Sequence, residues 1–218
     1  MRFANRQDAG RRLANELASR AFDRPVVIAL PRGGVPLAAE VAARLQAPLD
    51  VLVVRKLGYP ERPELGMGAV AEGAAQVLNE NLIAELGITA EQLDGVMAVE
   101  EAEVRRRVQR YRGGRPAVPV AGRTVILIDD GLATGFTARA GIEMLRRKGA
   151  QSVVLAVPVA PVDTVEELRA YADEVICLRA PAHFGAIGQW YADFRQVSDT
   201  EVATLLAERA AVAAANAR

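Results

Sequence analysis

The chain has 218 residues, 51% of them apolar and 25% charged, with 27 Lys+Arg balanced by 27 Asp+Glu. That composition suits one large domain or two small ones with a sizeable core, and zero net charge gives no overall pull towards nucleic acid or an anionic membrane. The single cysteine, Cys177, excludes an intramolecular disulfide, and the single histidine, His183, excludes any site built on two histidines, most zinc centres among them.

The N-terminal stretch lacks an apolar core of signal-peptide length, and no run is long enough to span a bilayer, so the expected location is cytoplasmic. Asp8 to Phe22 places Leu13, Leu17 and several alanines on one face, which predicts a helix. "PVVIAL" (25–30) reads as a buried strand ended by "PRGG". Val35 to Leu45 follows as a helix and "DVLVV" (50–54) as the next strand. These runs are continuously apolar rather than alternating, as in parallel strands covered on both faces. Strand and helix alternate, which predicts an α/β fold with a mostly parallel sheet flanked by helices.

"RKLGYPERPELGMG" (55–68), with two prolines and three glycines, reads as a long mobile loop, and "AVAEGAAQVLN" as short hairpin strands. Thr89 and Gln92 form a capping-box pattern ahead of a helix at 89–111. There the pairs Glu101/Arg105 and Glu103/Arg107 predict a solvated face rather than a nucleic-acid stripe. "GGRPAVPVAG" is a linker into "VILIDDGLATGFT" (125–137). Thr137 to Lys148 reads as a helix closed by Gly149, "SVVLAVPVA" as a strand, Val162 to Tyr171 as a helix and "EVICL" as a last strand holding Cys177 as a small hydrophobe. "PAHFGAIGQWYADF" (181–194) is irregular. Ser198 and Glu201 cap a C-terminal helix whose tail, from Ala210 on, is expected to fray.

The stretch "VILIDDGLATGFT" carries the chemistry. A strand end, a small-residue loop and a helix N-terminus converge backbone N–H groups on an anion, with Gly131 and Gly135 allowing close approach and Thr134 and Thr137 adding hydroxyls. It is not a Walker A loop, because the glycine spacing is one short and Phe136 replaces the lysine. Asp129 and Asp130 would repel a bare phosphate, but they suit the vicinal hydroxyls of a sugar and a magnesium ion. A phosphate, a ribose and a magnesium-bound group in one ligand describe 5-phosphoribosyl 1-pyrophosphate.

At these residues the chain resembles the type I phosphoribosyltransferases, whose donor signature is an apolar strand, two acids and a small-residue phosphate loop. The resemblance implies that Asp129, Asp130, Gly131, Leu132, Ala133, Thr134, Gly135, Phe136 and Thr137 bind the donor's phosphate and ribose. "LPRGGVPLA" resembles the family's pyrophosphate loop, with Arg32, Gly33 and Gly34 facing the diphosphate. "VRKLGYPERPELGMGAV" falls where the family has its flexible catalytic loop. Arg55 and Lys56 there resemble an Arg-Lys pair that meets pyrophosphate, and with Asp130 they are the implied catalytic residues. Mg2+ is the implied cofactor, held mainly by the donor, with Asp129 and Asp130 as its protein ligands directly or through water. Phe184, Trp190 or Tyr191 in the hood would stack the acceptor.

The resemblance covers nearly the whole chain and is nearest to predicted bacterial phosphoribosyltransferases of unassigned acceptor. Hypoxanthine-guanine enzymes place an Asp where this chain has Ala133, which is the adenine-enzyme pattern. The implied organisation is one domain over 1–218, with a flexible loop about 55–68, a helical insertion about 80–112 and hood elements about 180–195. The implied function is magnesium-dependent phosphoribosyl transfer to a nitrogenous base or related acceptor, releasing pyrophosphate, in nucleotide salvage, with small-molecule partners and neither nucleic acid nor membrane. A nucleotide- or donor-sensing regulator on the same fold, and a donor-dependent hydrolase or phosphorylase, are the alternatives. The acceptor, homodimer formation, and the roles of Glu61, Glu64 and the 89–111 helix stay open. Asp130→Asn is expected to weaken donor binding with little effect on folding.

Overall fold

The computed structural model describes residues 2–59, 62–73 and 75–216. The first half runs α1 (Arg6–Leu17), β1 (Val26–Ala29), α2 (Gly34–Leu45), β2 (Leu49–Val51), β3 (Val54–Tyr59), β4 (Arg62–Ala71), β5 (Ala75–Leu78), α3 (Glu80–Glu85) and α4 (Ala90–Arg112). The second half runs β6 (Thr124–Ile128), α5 (Phe136–Arg147), β7 (Ser152–Val157), α6 (Val162–Leu168), β8 (Glu174–Cys177) and α7 (Asp199–Asn216).

Five strands form a parallel sheet in the order β2-β1-β6-β7-β8. Their side chains alternate between two cores, which is why both parities had to be apolar. Val27, Ala29, Ile126, Ile128, Val154 and Ala156 join residues of α1, α2, α4 and α7 on one face. Val26, Ile28, Val125, Leu127, Val153 and Leu155 join α5 and α6 on the other. β1 has β2 on one side and β6 on the other, so the chain leaves β1 and β6 in opposite directions across the sheet. Such a switch point opens a crevice at the carboxyl ends of the two strands, where open α/β sheets bind ligands.

Of the expected loop at 55–68, residues 55–59 belong to β3 and 62–68 to β4. β3, β4 and β5 form an antiparallel sheet of their own, with register irregularities at Leu57/Gly58 and Gly58/Tyr59. Leu57 and Met67 are fully buried and supply the apolar contact that prolines and glycines disguise in the sequence. Gly68 is needed there, since a Cβ would lie 2.3 Å from the Val77 carbonyl oxygen. Glu61 and the side chain of Glu64 lie outside the described residues.

The helical insertion is α3 and α4. Thr89 and Gln92 make the reciprocal capping box, with bonds of 3.2 and 3.0 Å, and Gly113 closes α4 in the left-handed region. Glu101 pairs with Arg105 at 3.4 Å and Glu103 with Arg107 at 2.6 Å on its solvated face. The C-terminal helix does not fray at Ala210 but continues to Asn216. Its run of alanines, the best helix formers, sustains it without much burial.

Candidate functional site

The strand β6 delivers Asp129 and Asp130 to the switch point, and the loop after them is shaped by glycines that no other residue can replace. Gly131 has φ 155° and Gly135 φ 69°, and a Cβ on Gly131 would meet Ile187 at 2.7 Å. Leu132 donates its N–H to the Val159 carbonyl (3.0 Å), and Thr164 Oγ1 donates to the Ala133 carbonyl (2.9 Å). With these groups satisfied inward, Ala133, Thr134 and Thr137 remain exposed at the N-terminus of α5. The first-turn amides of α5, which have no intrahelical partner, and two hydroxyls stand together there, an arrangement suited to an anion.

The strand β1 delivers the second loop. Leu30 donates to the Ile128 carbonyl at 2.9 Å, so the two strand ends stay paired to the last residue. The Pro31–Arg32 peptide is cis. Gly33 and Gly34 press against the acid pair: a Cβ on Gly33 would sit 2.0 Å from Asp130 Oδ2, and one on Gly34 2.6 Å from the Ile128 carbonyl oxygen. Arg32 extends towards the start of α7, with Nη1 at 3.6 Å from Asp199 Oδ1. Asp199 also accepts from the Tyr111 hydroxyl at 2.8 Å, and this bond first, then nearby arginines, holds its carboxyl below the usual range.

The two acids differ. Asp130 is buried, and Arg6 clasps it, with Nε and Nη2 each 2.7 Å from Oδ2. Tyr191 donates its hydroxyl to the Asp130 carbonyl (2.6 Å), and Asp130 N–H donates to Asp129 Oδ1 (2.8 Å). Burial pushes the Asp129 carboxyl well up, and the adjacent Asp130 charge adds to this. Burial also raises Asp130, while the Arg6 guanidinium pulls it back. Nothing in the sequence marks Arg6 or the Tyr191 hydroxyl, because both reach the acids only through tertiary folding. Among the described residues there is no cluster of three or more His, Cys, Asp or Glu that could hold a metal.

Lys56 and Arg55 are split by the strand. Successive side chains of β3 point to opposite faces. Arg55 turns to the inserted helix and pairs with Glu100 at 2.7 Å. Lys56 lines a cavity of about 430 Å³ together with Gly66, Asn79, Thr134, Gly135, Phe136 and Thr137. Lys56 therefore faces the loop of Thr134, Gly135, Phe136 and Thr137, and Arg55 does not. In the 181–194 stretch, Phe184 and Trp190 stack on each other at 6.4 Å between centroids, and the indole N–H donates to the Phe184 carbonyl (3.2 Å). Both are half-buried, whereas Tyr191 is buried between Phe3 and Phe194 at 5.5 and 5.0 Å. Tyr191 is thus a core residue rather than a stacking platform. Cys177 is a half-buried strand residue whose thiol burial pushes up.

The family model described as phosphoribosyl transferase domain matches residues 4–195. The chain is 50% identical over 204 residues to the "Putative phosphoribosyl transferase" of Mycobacterium tuberculosis (strain H37Rv), covering 94% of this chain and 46% of that protein. It spans about half the length of the curated relatives it matches in this way. An adenine phosphoribosyltransferase of Mycobacterium tuberculosis (strain CDC 1551) is 33% identical over 157 residues, 72% of this chain and 57% of that one. The crystal structure of TT1426 from Thermus thermophilus superposes with a TM-score of 0.86 at 43% identity, covering 95% of this chain and 99% of that one. Among the described residues, no helix is long and apolar enough to cross a membrane.

Proposed function

Because the chain belongs to the phosphoribosyl transferase domain family, we propose that it transfers the 5-phosphoribosyl group of 5-phosphoribosyl 1-pyrophosphate to a nitrogenous base. The observation that carries this reading is the meeting of two loops at one switch point, with Gly33 packed on Asp130. One loop suits a phosphate and a sugar, the other a diphosphate, and a single donor spans both. The whole unit, hood included, is read as one domain acting in cytoplasmic nucleotide salvage.

In this reading the amides of 131–135 and the Thr134 and Thr137 hydroxyls hold the donor's 5-phosphate, and that remote binding positions the reacting carbon. Asp129 and Asp130 accept hydrogen bonds from the ribose hydroxyls. The bond from the anomeric carbon to the pyrophosphate oxygen breaks, its electron pair leaving with pyrophosphate. A base nitrogen forms the new bond with inversion, and its N–H proton passes to solvent. Arg32, with the backbone of Gly33 and Gly34, meets the charge that builds on the diphosphate. Phe184 and Trp190, the half-buried ring pair, would stack the base. Ala133 in place of an acid, and the likeness to an adenine enzyme, favour a base with an exocyclic amine over a 6-oxopurine.

Magnesium fits the acid pair. Burial raises both carboxyls and the Asp130 charge raises Asp129 further; a cation relieves this, and Mg2+ is commonly held by one or two carboxylates plus substrate phosphates. Asp129 and Asp130 would hold it with the donor. When bound, it supplies charge neutralisation on the donor's phosphates.

Calorimetric titration of the donor, with and without magnesium and beside ribose 5-phosphate, tests the reading. Magnesium-dependent binding that is tighter for the diphosphate is expected, followed by pyrophosphate release when bases are supplied. Absence of binding by either ligand would sink it in favour of a regulator or scaffold on this fold. Release of free ribose 5-phosphate without a base would mark a hydrolase instead.

Lys56 gives a second test. Its place in the cavity of Thr134–Thr137 supports a contact with the 5-phosphate in addition to the pyrophosphate contact the resemblance implies. Lys56→Ala is expected to weaken ribose 5-phosphate and the donor alike, by roughly 10-fold or more, the worth of one charge-assisted hydrogen bond. Normal ribose 5-phosphate binding with a slower turnover of the donor would put the ammonium on the leaving group alone.

A further inference from the structure

We propose that Arg6 is a positioning residue of the donor site, fixing the Asp130 carboxylate before any ligand arrives. The inference rests on the phosphoribosyl-transfer reading and adds to it a residue from the far end of the sequence. Arg6 opens α1, and 124 positions separate it from Asp130. All three guanidinium nitrogens are engaged: Nε and Nη2 on Asp130 Oδ2 at 2.7 Å each, and Nη1 on the Arg195 carbonyl at 2.7 Å. The guanidinium lies 3.9 Å from the Phe194 ring centroid, and the side chains of the pair are 10% and 12% exposed. A planar fork held at every nitrogen and stacked on a ring has one orientation, which a lysine could not reproduce.

Stability alone does not account for this pair. Burying two charges costs about as much as their attraction returns, and apolar residues of the same volume commonly serve a core as well. The pair is instead spent on one carboxylate at the mouth of a phosphate loop. Asp130 is held at three points, its carboxylate by Arg6, its carbonyl by Tyr191 and its N–H by Asp129 Oδ1. Both guanidinium contacts fall on Oδ2, which leaves the Oδ1 edge and Asp129 to the sugar. The guanidinium also reduces two crowded negative charges to one, so the acids can stand side by side without a ligand. Arg195, Tyr191 and Phe194 belong to the hood, so the same fork joins the acceptor cover to the donor loop.

The test compares the full-length wild type with R6M, R6K, D130N, the double variant R6M/D130N, and R20M. Arg20 pairs with Glu174 at 3.0 Å and Glu16 at 2.8 Å, away from the acids, and gives the loss expected of an ordinary ion pair. Donor affinity is read by calorimetry with magnesium, and folding by thermal melts. Outer partners that orient a ligating group typically contribute 10- to 100-fold, so R6M is expected to bind the donor that much more weakly at temperatures where it is folded. R6K should recover part of the loss. R6M/D130N should bind no worse than D130N, because Arg6 acts through Asp130, and it folds without an orphan charge even if R6M does not. R20M should melt earlier with an unchanged Kd. Wild-type affinity in R6M, or losses that simply add in the double variant, would overturn the assignment. A wild type that binds no donor overturns the phosphoribosyl reading itself, and that result is seen before any variant is made.

Discussion

Gly33→Ala is expected to lower donor affinity about 10- to 100-fold, the scale for disturbing groups that orient a ligating residue, and to cost about 1–3 kcal/mol of stability by overpacking. The backbone gives no reason for this. Gly33 has φ −60° and ψ −35°, an ordinary right-handed conformation, so alanine should gain roughly 0.4–1 kcal/mol from a stiffer unfolded chain. The cost is steric and local. The new Cβ would fall 2.0 Å from Asp130 Oδ2 and 2.4 Å from its Cγ. Elsewhere a carboxylate would swing aside, but this one is clasped by Arg6 and buried, so either the first loop lifts or the acid leaves its guanidinium. Gly95→Ala is the control, since a Cβ there meets nothing within 4 Å in the middle of α4. It should raise stability by up to about 1 kcal/mol with no effect on binding. Denaturant melts and donor calorimetry on both variants decide the matter. A wild-type Kd in Gly33→Ala would show that the two loops are not coupled through this contact.

The same residues show what a sequence can and cannot disclose. The five parallel strands were legible because each side of the sheet is covered, so Val26–Ala29 and residues 125–128 had to be apolar at both parities. The turn between β6 and α5 was legible because its glycines and threonines are local to one strand–loop–helix unit. The β3–β4 hairpin was not, since its evidence is the burial of Leu57 and Met67 across a stretch of prolines and glycines. The split of Arg55 from Lys56 followed from the hairpin, because two neighbours in a loop can face one ligand and two neighbours in a strand cannot. Arg6 was invisible for a different reason: an arginine after a capping Asn5 looks like any solvated first turn. Its burial also revises the expectation that Asp130→Asn leaves folding almost untouched, because that change strands a buried guanidinium.

Arg112→Ala should be among the most destabilising single changes in the molecule, at about 3–5 kcal/mol, the usual cost of orphaning a buried ion pair. Arg112 is the last residue of α4, where charge patterning alone suggested only a solvated helix end. Its Nε donates to Asp50 Oδ1 at 2.8 Å, Nη2 donates to the Val51 carbonyl at 3.0 Å, and Nη1 pairs with Glu72. Asp50 accepts from Val118 N–H as well (2.9 Å), and Glu72 pairs with Lys148 at 3.2 Å. One guanidinium therefore ties the inserted helix to β2, to the end of β4, to the linker before β6 and to α5. Acid titration separates this network from simple packing. Burial pushes Glu72 up, but the Arg112 hydrogen bond and charge, with Lys148, more than offset it and leave the carboxyl below its usual range. A carboxyl depressed in the folded state stabilises above its unfolded value, about 4.3, and that contribution fades as pH falls through the folded value. In Arg112→Ala the burial stays and the main offset goes, so Glu72 is disfavoured as an anion. The gap in stability between wild type and variant should then be widest near neutral pH and narrow in acid. Denaturant melts across that range measure it, and a gap that keeps one size from neutral to acid would mean that Arg112 works by filling space rather than by charge.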